Sequence, residues 1–472
     1  MKKTILWSIG AVVVIFLGWR AYISSHGEAY FREYLDGAKR VQQNVVRLEL
    51  KKYLNGFSSA EALVEAHFTG GDVSPLRNPL PIESRIDYGP FFFSELRPGL
   101  LRITTHKRLA ELLTKEGAEE LRRSLERPVT IDYRGIMDWM HVVHEELSLS
   151  AVEVKEGNVS IATVAPIRIV GAYELSNLKG RWSLTTPRID FRNPKTQERL
   201  QVKGLSAGAA IAEIGKEGPI FGRYNLKAQR VRTVFVNAGK REQLDFGGSM
   251  HIGLEKRTPD LATLTLGIAL HSENNATRTL WKGIHSASLD LTLKNLGIEG
   301  LRRLSALEKE RQAIQERLAT AVGGNDDLAM QKAILALQAL DKHWIDIYNA
   351  LLIPGKTALH LDETIDASQR SRLVLDLRYT GQPLQGDPMT AMISLMAHAD
   401  RLAEGRFNLT LEKSLAKRLY PNGIFVLDSM VSKNLATFKG GLYHLQGEIK
   451  AGKIIINGTK YAPQELMMLI LM

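Results

Sequence analysis

An α+β fold is the class this sequence predicts: an N-terminal transmembrane helix, then a long, twisted antiparallel β-sheet system with an inserted αα-hairpin and flanking helices. Three observations carry the expectation. An uncharged apolar stretch follows Met1-Lys2-Lys3 directly. Period-two alternation dominates from about residue 129 to 300 and resumes after 354, as half-buried antiparallel strands require. It is clearest at Leu264/Leu266/Ile268/Leu270, Leu289/Leu291/Leu293 and Leu373/Leu375/Leu377. Between these regions, two helix-period stretches meet at Gly323-Gly324.

The first element is the apolar span from Thr4 to Ile23, interrupted only by Arg20. As a helix it covers roughly 30 Å, the thickness of a hydrocarbon core. Its membrane-facing residues are Ile5, Leu6, Trp7, Val12, Val13, Val14, Ile15, Phe16, Leu17 and Trp19. Lys2 and Lys3 precede it, so the positive-inside rule places the N-terminus in the cytoplasm and the bulk of the chain across the membrane. A cleaved signal peptide is the competing reading, but "GWRAYISSHG" puts Arg20, Tyr22 and Ile23 where small residues would be needed. An uncleaved signal anchor over residues 1–23 is therefore expected.

A membrane-proximal α+β segment follows over 24–128. Phe31, Leu35, Ala38, Val41, Val45 and Leu48 recur at intervals of three or four, marking a helix or a helix-to-strand transition. Asn55-Gly56 can close a hairpin. The stretch "IDYGPFFFSELRPG" has no regular period and predicts a loop in which Gly89, Pro90, Phe91, Phe92 and Phe93 either pack under the backbone or line a ligand groove. Thr105 to Glu126 is expected to be helical, on the stripe Leu109, Leu112, Leu113, Ala118, Leu121 and Leu125. An antiparallel β-sheet region is expected over 129–298 and an αα-hairpin insertion over 299–353, with Asn325 or Asp326 capping its second helix. A C-terminal β-rich region over 354–472 carries a helix at about 388 to 403, a hairpin turning near Ala451-Gly452, and a short terminal helix.

Composition narrows the chemistry. The chain of 472 residues is too long for one ordinary core. It has no cysteine, which excludes disulfides, thiolate catalysis and Cys-ligated metals. Lys and Arg outnumber Asp and Glu by 62 to 51, a sign that suits anionic surfaces. The surplus is scattered in pairs such as Arg122-Arg123, so no nucleic-acid partner is expected. His141-x-x-His144-Glu145 has the wrong order for a helical zinc signature. Ser414-x-x-Lys417 lacks the companion motifs of the penicillin-recognising enzymes, and Gly204-x-Ser206-x-Gly208 lies in strand-like text and not at a strand-to-helix turn. No catalytic, cofactor-binding or metal residue is expected.

One resemblance runs over nearly the whole chain. The Lys-Lys anchor is followed in order by "NGFSSAEALVEAHF", Ile86-Asp87-Tyr88-Gly89-Pro90-Phe91, "ASLDLTLKNLGIEGLRRLSALE", and a strand pair ending in Ile456-Asn457-Gly458. This order resembles the YdgA-like family of bacterial inner-membrane proteins, although Tyr88 stands where the family often has His. The resemblance implies a bitopic, single-pass protein with a β-rich periplasmic domain that can form a homodimer, and no catalytic residues to carry over.

The expected function is non-enzymatic: an inner-membrane-tethered periplasmic envelope protein whose sheet binds a hydrophobic, lipid-like ligand or a protein partner. A structural or assembly factor acting only through protein contacts is the alternative, and a cell-envelope hydrolase is the third reading. The partners expected are inner-membrane lipid, a hydrophobic ligand, and a second copy or an envelope protein. The last apolar run, Leu466 to Met472, is too short to cross a bilayer. Leu466, Leu469 and Ile470 are expected to plug the end of the sheet or a neighbouring subunit.

Overall fold

In the computed structural model the first element is one helix, α1 (Lys2–Val41). The structure describes every residue except 1, 42–45, 69–75, 126, 158, 215–218, 238, 325, 387–388, 392, 394–401, 422 and 472, and except the side chains of 2–17, 41, 323, 341, 467, 470 and 471. The anchor side chains from Ile5 to Leu17 thus lie outside the described residues. No described helix is long and apolar enough to cross a membrane. The chain divides into two compact units, Met1–Glu213 and Ile214–Met472.

In the first unit, β1 (Val46–Asn55) and β2 (Ser59–Phe68) form the expected hairpin, closed by the Gly56 N–H donating to the Ser59 carbonyl at 3.0 Å. There follow β3 (Leu80–Tyr88), the short ribbon β4 (Phe91–Phe92) and β5 (Arg97–Pro98), β6 (Leu101–Arg108), α2 (Lys115–Ser124), β7 (Thr130–Met137) and β8 (Val142–Leu149). Then come β9 (Val152–Glu156), β10 (Val159–Val164), β11 (Ile167–Glu174), β12 (Gly180–Arg192) and β13 (Arg199–Ile214). The sheet order is β1–β2–β3–β6–β7–β8–β11–β12–β13, antiparallel throughout. β10 continues the β11 position along the far part of β12, and β9 pairs with β10.

One helix expectation fails here. Thr105 to Arg108 are strand, paired with Thr130 to Tyr133 of β7. A 3-10 turn at Leu109–Glu111 follows, and helix begins only at Lys115, after the Thr114 hydroxyl accepts the Gly117 N–H at 3.2 Å. Of the expected stripe only Ala118 and Leu121 lie on the helix; Leu109 opens the 3-10 turn, Leu112 follows it, and Leu113 and Leu125 form isolated β-bridges to Leu76 and Val154. Pairing with a neighbour outweighs local periodicity.

α1 crosses one end of this sheet. Its Ser24 hydroxyl donates to the Gly56 carbonyl at 2.9 Å, Glu33 meets His141 at 2.7 Å, and Arg40 donates to the Leu175 carbonyl at 2.7 Å. The helix therefore passes from the β1–β2 turn to the β11–β12 turn, burying Ile23, Phe31 and Leu35.

The second unit is a meander of β14 (Ile220–Asn237), β15 (Lys240–Lys256), β16 (Leu261–Ser272), α3 (Asn275–Leu280) and β17 (Ser286–Gly297). The helices α4 (Ile298–Gly323), α5 (Asp327–Leu340) and α6 (Trp344–Leu351) come next, with Asp326 capping α5 through the Ala329 N–H at 3.0 Å. β18 (Ala358–Asp366), β19 (Arg370–Tyr379) and β20 (Ala403–Glu412) extend the sheet. Most of the helix expected over 388 to 403 lies outside the described residues. The chain continues as α7 (Lys413–Leu419), α8 (Gly423–Ser432), β21 (Thr437–Lys439), β22 (Leu442–Lys450), β23 (Lys453–Ile456), β24 (Thr459–Tyr461) and α9 (Pro463–Leu471). Alternation has a direct outcome in this unit. Leu266, Leu291, Leu361, Leu375 and Phe407 stand side by side across five strands, all half-buried. The other face carries ion pairs, among them Arg372–Asp362 at 2.5 Å and Arg406–Asp376 at 3.0 Å.

Candidate functional site

Successive residues of a strand point to opposite faces. In the first unit this sends Leu48, Val64, Ile82, Ile103, Ile131, Leu147 and Ile169, from seven neighbouring strands, to the face crossed by α1. The helix sets Phe31, Tyr34, Leu35 and Ala38 against them, leaving an apolar groove of about 470 Å³. The opposite face holds a broader cleft of about 750 Å³ whose charged side chains include the His106–Asp132 pair at 2.6 Å. It reads as a solvated, self-paired surface.

One carboxylate enters the apolar groove. Glu145 of β8 lies opposite Gly135 on β7 and Gly171 on β11, and Gly171 in turn lies opposite Trp182 on β12. These glycines make room. A Cβ on Gly171 would sit 2.5 Å from the Trp182 indole and 3.0 Å from Glu145 Oε1, and one on Gly135 would sit 2.7 Å from the Tyr133 hydroxyl. In the space they leave, Trp182 Nε1 donates to Glu145 Oε1 at 2.9 Å and the Tyr133 hydroxyl donates to Oε2 at 3.4 Å. The Tyr34 hydroxyl of α1 hydrogen-bonds that of Tyr133, so a polar chain runs from the helix to the carboxylate. The Tyr173 ring stacks on the Trp182 indole at 5.5 Å and fixes its plane.

Burial governs the electrostatics. Desolvation raises the Glu145 carboxyl above the usual carboxylate range, against the lowering effect of the Trp182 and Tyr133 donors. No guanidinium or ammonium among the described residues contributes to that shift. Burial also pushes the Tyr34, Tyr133 and Tyr173 hydroxyls well up, so they remain protonated donors at neutral pH. An ionised carboxylate offers about four acceptor sites. Among the described residues Trp182 and Tyr133 supply two donors, and Glu145 lines the groove.

The residues singled out in the sequence fall elsewhere. Gly89, Pro90, Phe91, Phe92 and Phe93 belong to the β4–β5 ribbon and do not line the groove. Phe92 is buried under the Arg102 guanidinium at 5.3 Å, and Phe91 meets Phe93 edge-on at 5.1 Å. Leu466 is buried with Met430, Leu435, Ala436 and Ile456, and Leu469 packs against them; the Ile470 side chain lies outside the described residues. His141 pairs with Glu33 and His144 with Asp138 at 3.2 Å, so the two imidazoles serve different carboxylates. Among the described residues no cluster of three His, Asp or Glu could hold a metal ion. Ser206 sits mid-strand opposite Thr185, and the Ser414 hydroxyl is turned onto Glu412.

Glu145 appears in the sequence only as the tail of a failed metal motif. A sharper signal was present: in Val143-x-Glu145-x-Leu147-x-Leu149 a carboxylate occupies an inward position of an alternating strand.

No curated protein and no solved structure matches the chain. A family described as a bacterial protein of unknown function, DUF945, matches residues 1–349, a span that includes α1, every strand of the groove and Glu145. The chain belongs to this bacterial family, DUF945.

Proposed function

We propose that this is a YdgA-like, non-enzymatic envelope protein, tethered to the bacterial inner membrane with its bulk in the periplasm, that holds a hydrophobic, lipid-like molecule in the groove beneath α1. The groove itself carries the reading. At about 470 Å³ it falls within the roughly 300–1,000 Å³ of small-molecule sites. Its lining is mostly aliphatic and aromatic; apart from Ser84, Thr105 and Lys107 on β3 and β6, its polar groups gather around Glu145, the pattern that orients an amphiphile. Glu145 selects the polar end: a half-buried carboxylate with acceptor positions to spare is stabilised by a ligand hydroxyl or ammonium and destabilised by a second anion. The half-buried leucine row of the second unit adds apolar surface of the same character.

An assembly role through protein contacts has one specific observation in its favour, the exposure of Leu328 and Leu335 on α5.

The test is to purify the full chain from bacterial membranes in detergent and quantify bound lipid by mass spectrometry. Near-stoichiometric lipid is expected, lost in Gly171→Leu, whose side chain fills the notch between Trp182 and Glu145. Glu145→Gln preserves the shape and should retain lipid with an altered headgroup distribution. A wild-type protein free of lipid overturns the proposal.

A further inference from the structure

The turns at one end of the first unit carry bulky apolar residues in the open. Tyr88 pairs with Leu101, Leu101 with Met137 and Met137 with Val143, so the segments 56–58, 89–100 and 138–141 lie at a common end of the sheet. Each segment exposes what a soluble surface normally hides. Phe57 is exposed on the first; on the second are Phe93 and Leu96, the latter 80 % exposed; on the third are Trp139 and Met140, the latter 81 % exposed. α1 arrives at the same end. Its Arg20 donates to the Ser58 carbonyl at 3.2 Å, and the exposed Trp19 ring lies 5.4 Å from that of Trp139. At the far end of β6 and β7, α2 presents Lys115, Glu116, Glu119, Glu120 and Arg123, with no exposed large apolar side chain on α2.

We infer that this end of the first unit is seated in the interfacial layer of a phospholipid bilayer. Two features of the molecule select that occupant. The residues N-terminal to Trp19 in α1 are the apolar span from Thr4, so a bilayer crossed by this span would have its surface at Trp19 and the turns beside it. The composition also fits: Trp and Tyr favour the headgroup level, where an apolar ring and a polar edge are both satisfied, while Phe, Leu and Met enter the acyl boundary. In this seating α1 leads from the membrane directly along the groove, so a lipid would reach Glu145 without crossing bulk water. The inference rests on the tethered reading, but not on what the groove contains.

The chain has no cysteine, so single labels are unambiguous. The full chain is reconstituted into phosphatidylethanolamine–phosphatidylglycerol vesicles with an environment-sensitive fluorophore at Phe93→Cys, Leu96→Cys or Met140→Cys, and at Arg123→Cys on α2 as reference. Nitroxide-bearing lipid should quench the first three several-fold more than the reference and blue-shift their emission. Equal quenching at all four sites overturns the inference. So does a blue shift without lipid quenching that grows with protein concentration, which would assign this end to a second copy. Quenching at the turns in a protein whose groove is lipid-free would leave the seating intact and sink the groove proposal, and the converse holds equally.

Discussion

The two units answer one sequence pattern in two ways. Both are antiparallel meanders with an apolar and a polar face. In the first, the apolar face is crossed by α1, which closes part of it and leaves a groove with a carboxylate in its wall. In the second, the row from Leu266 to Phe407 stays half-buried, and the α4–α6 insertion packs chiefly on itself, around Ile314, Ala333 and Leu340. Alternation alone does not distinguish a covered face from an open one, and neither does a carboxylate among the apolar positions: Glu363 stands between Leu289 and Leu373 on the leucine face of the second unit. What sets the first unit apart is the helix laid across its apolar face, which takes Glu145 into a groove.

The sharpest way to break this contrast is to damage one unit and read the other. Asp245 in the second unit is fully buried and accepts from Arg230 at 2.6 Å and Arg232 at 3.0 Å, its N–H donating to the Thr277 hydroxyl at 2.6 Å. Asp245→Ala should cost about 3 kcal/mol, the low end for a broken buried pair because both arginines reach water. Urea unfolding checks it, with bound lipid per folded protein unchanged; a loss of lipid in parallel would tie the groove to the second unit. Next in size, Leu466→Ala should cost about 2–3 kcal/mol by opening a cavity in its cluster. Truncation after Tyr461 removes Leu469 as well and should cost more than Leu466→Ala in the same experiment.

A smaller, signed effect belongs to Glu145. Its folded carboxyl titrates above the unfolded value of about 4.3, so the charged form is the disfavoured one in the native state. Below that pH both states are protonated and burial carries no charge penalty. As pH rises through the folded value, native stability falls. Glu145→Gln removes this dependence, so the variant should gain on wild type as the pH rises above about 4.3, until the folded carboxyl is ionised. A constant difference across that range would mean the carboxylate is solvated. Smallest of all, Phe93→Ser should shift stability by less than about 0.5 kcal/mol, as exposed positions do, while weakening vesicle quenching at Met140→Cys.

Much of the architecture was legible in the sequence. Asn55-Gly56 closes its hairpin, and the helical insertion expected from residue 299 begins at Ile298 and turns at Gly323-Gly324. The strands around Leu264, Leu289 and Leu373 pair as their alternation requires. The Thr105 to Arg108 segment was not legible, because its partner β7 lies beyond α2 in sequence and only the ladder reveals it. The candidate site was hidden for a similar reason. Glu145, Gly135, Gly171 and Trp182 converge across β7, β8, β11 and β12, and no local spacing joins them. The aromatic run at Phe91 drew attention for its composition, yet it sits in a ribbon at the sheet end and not in the groove.

The most direct measurement uses two adjacent residues of β11. Ile169 lines the groove and Val170 is exposed on the opposite face. A small diazirine-bearing side chain is placed at each position in turn in the full chain, irradiated in bacterial membranes, and the adducts are identified by mass spectrometry. A lipid adduct at position 169 and none at 170 is the expected result. Equal labelling at both, or labelling at neither, would contradict a hydrophobic ligand seated beneath α1.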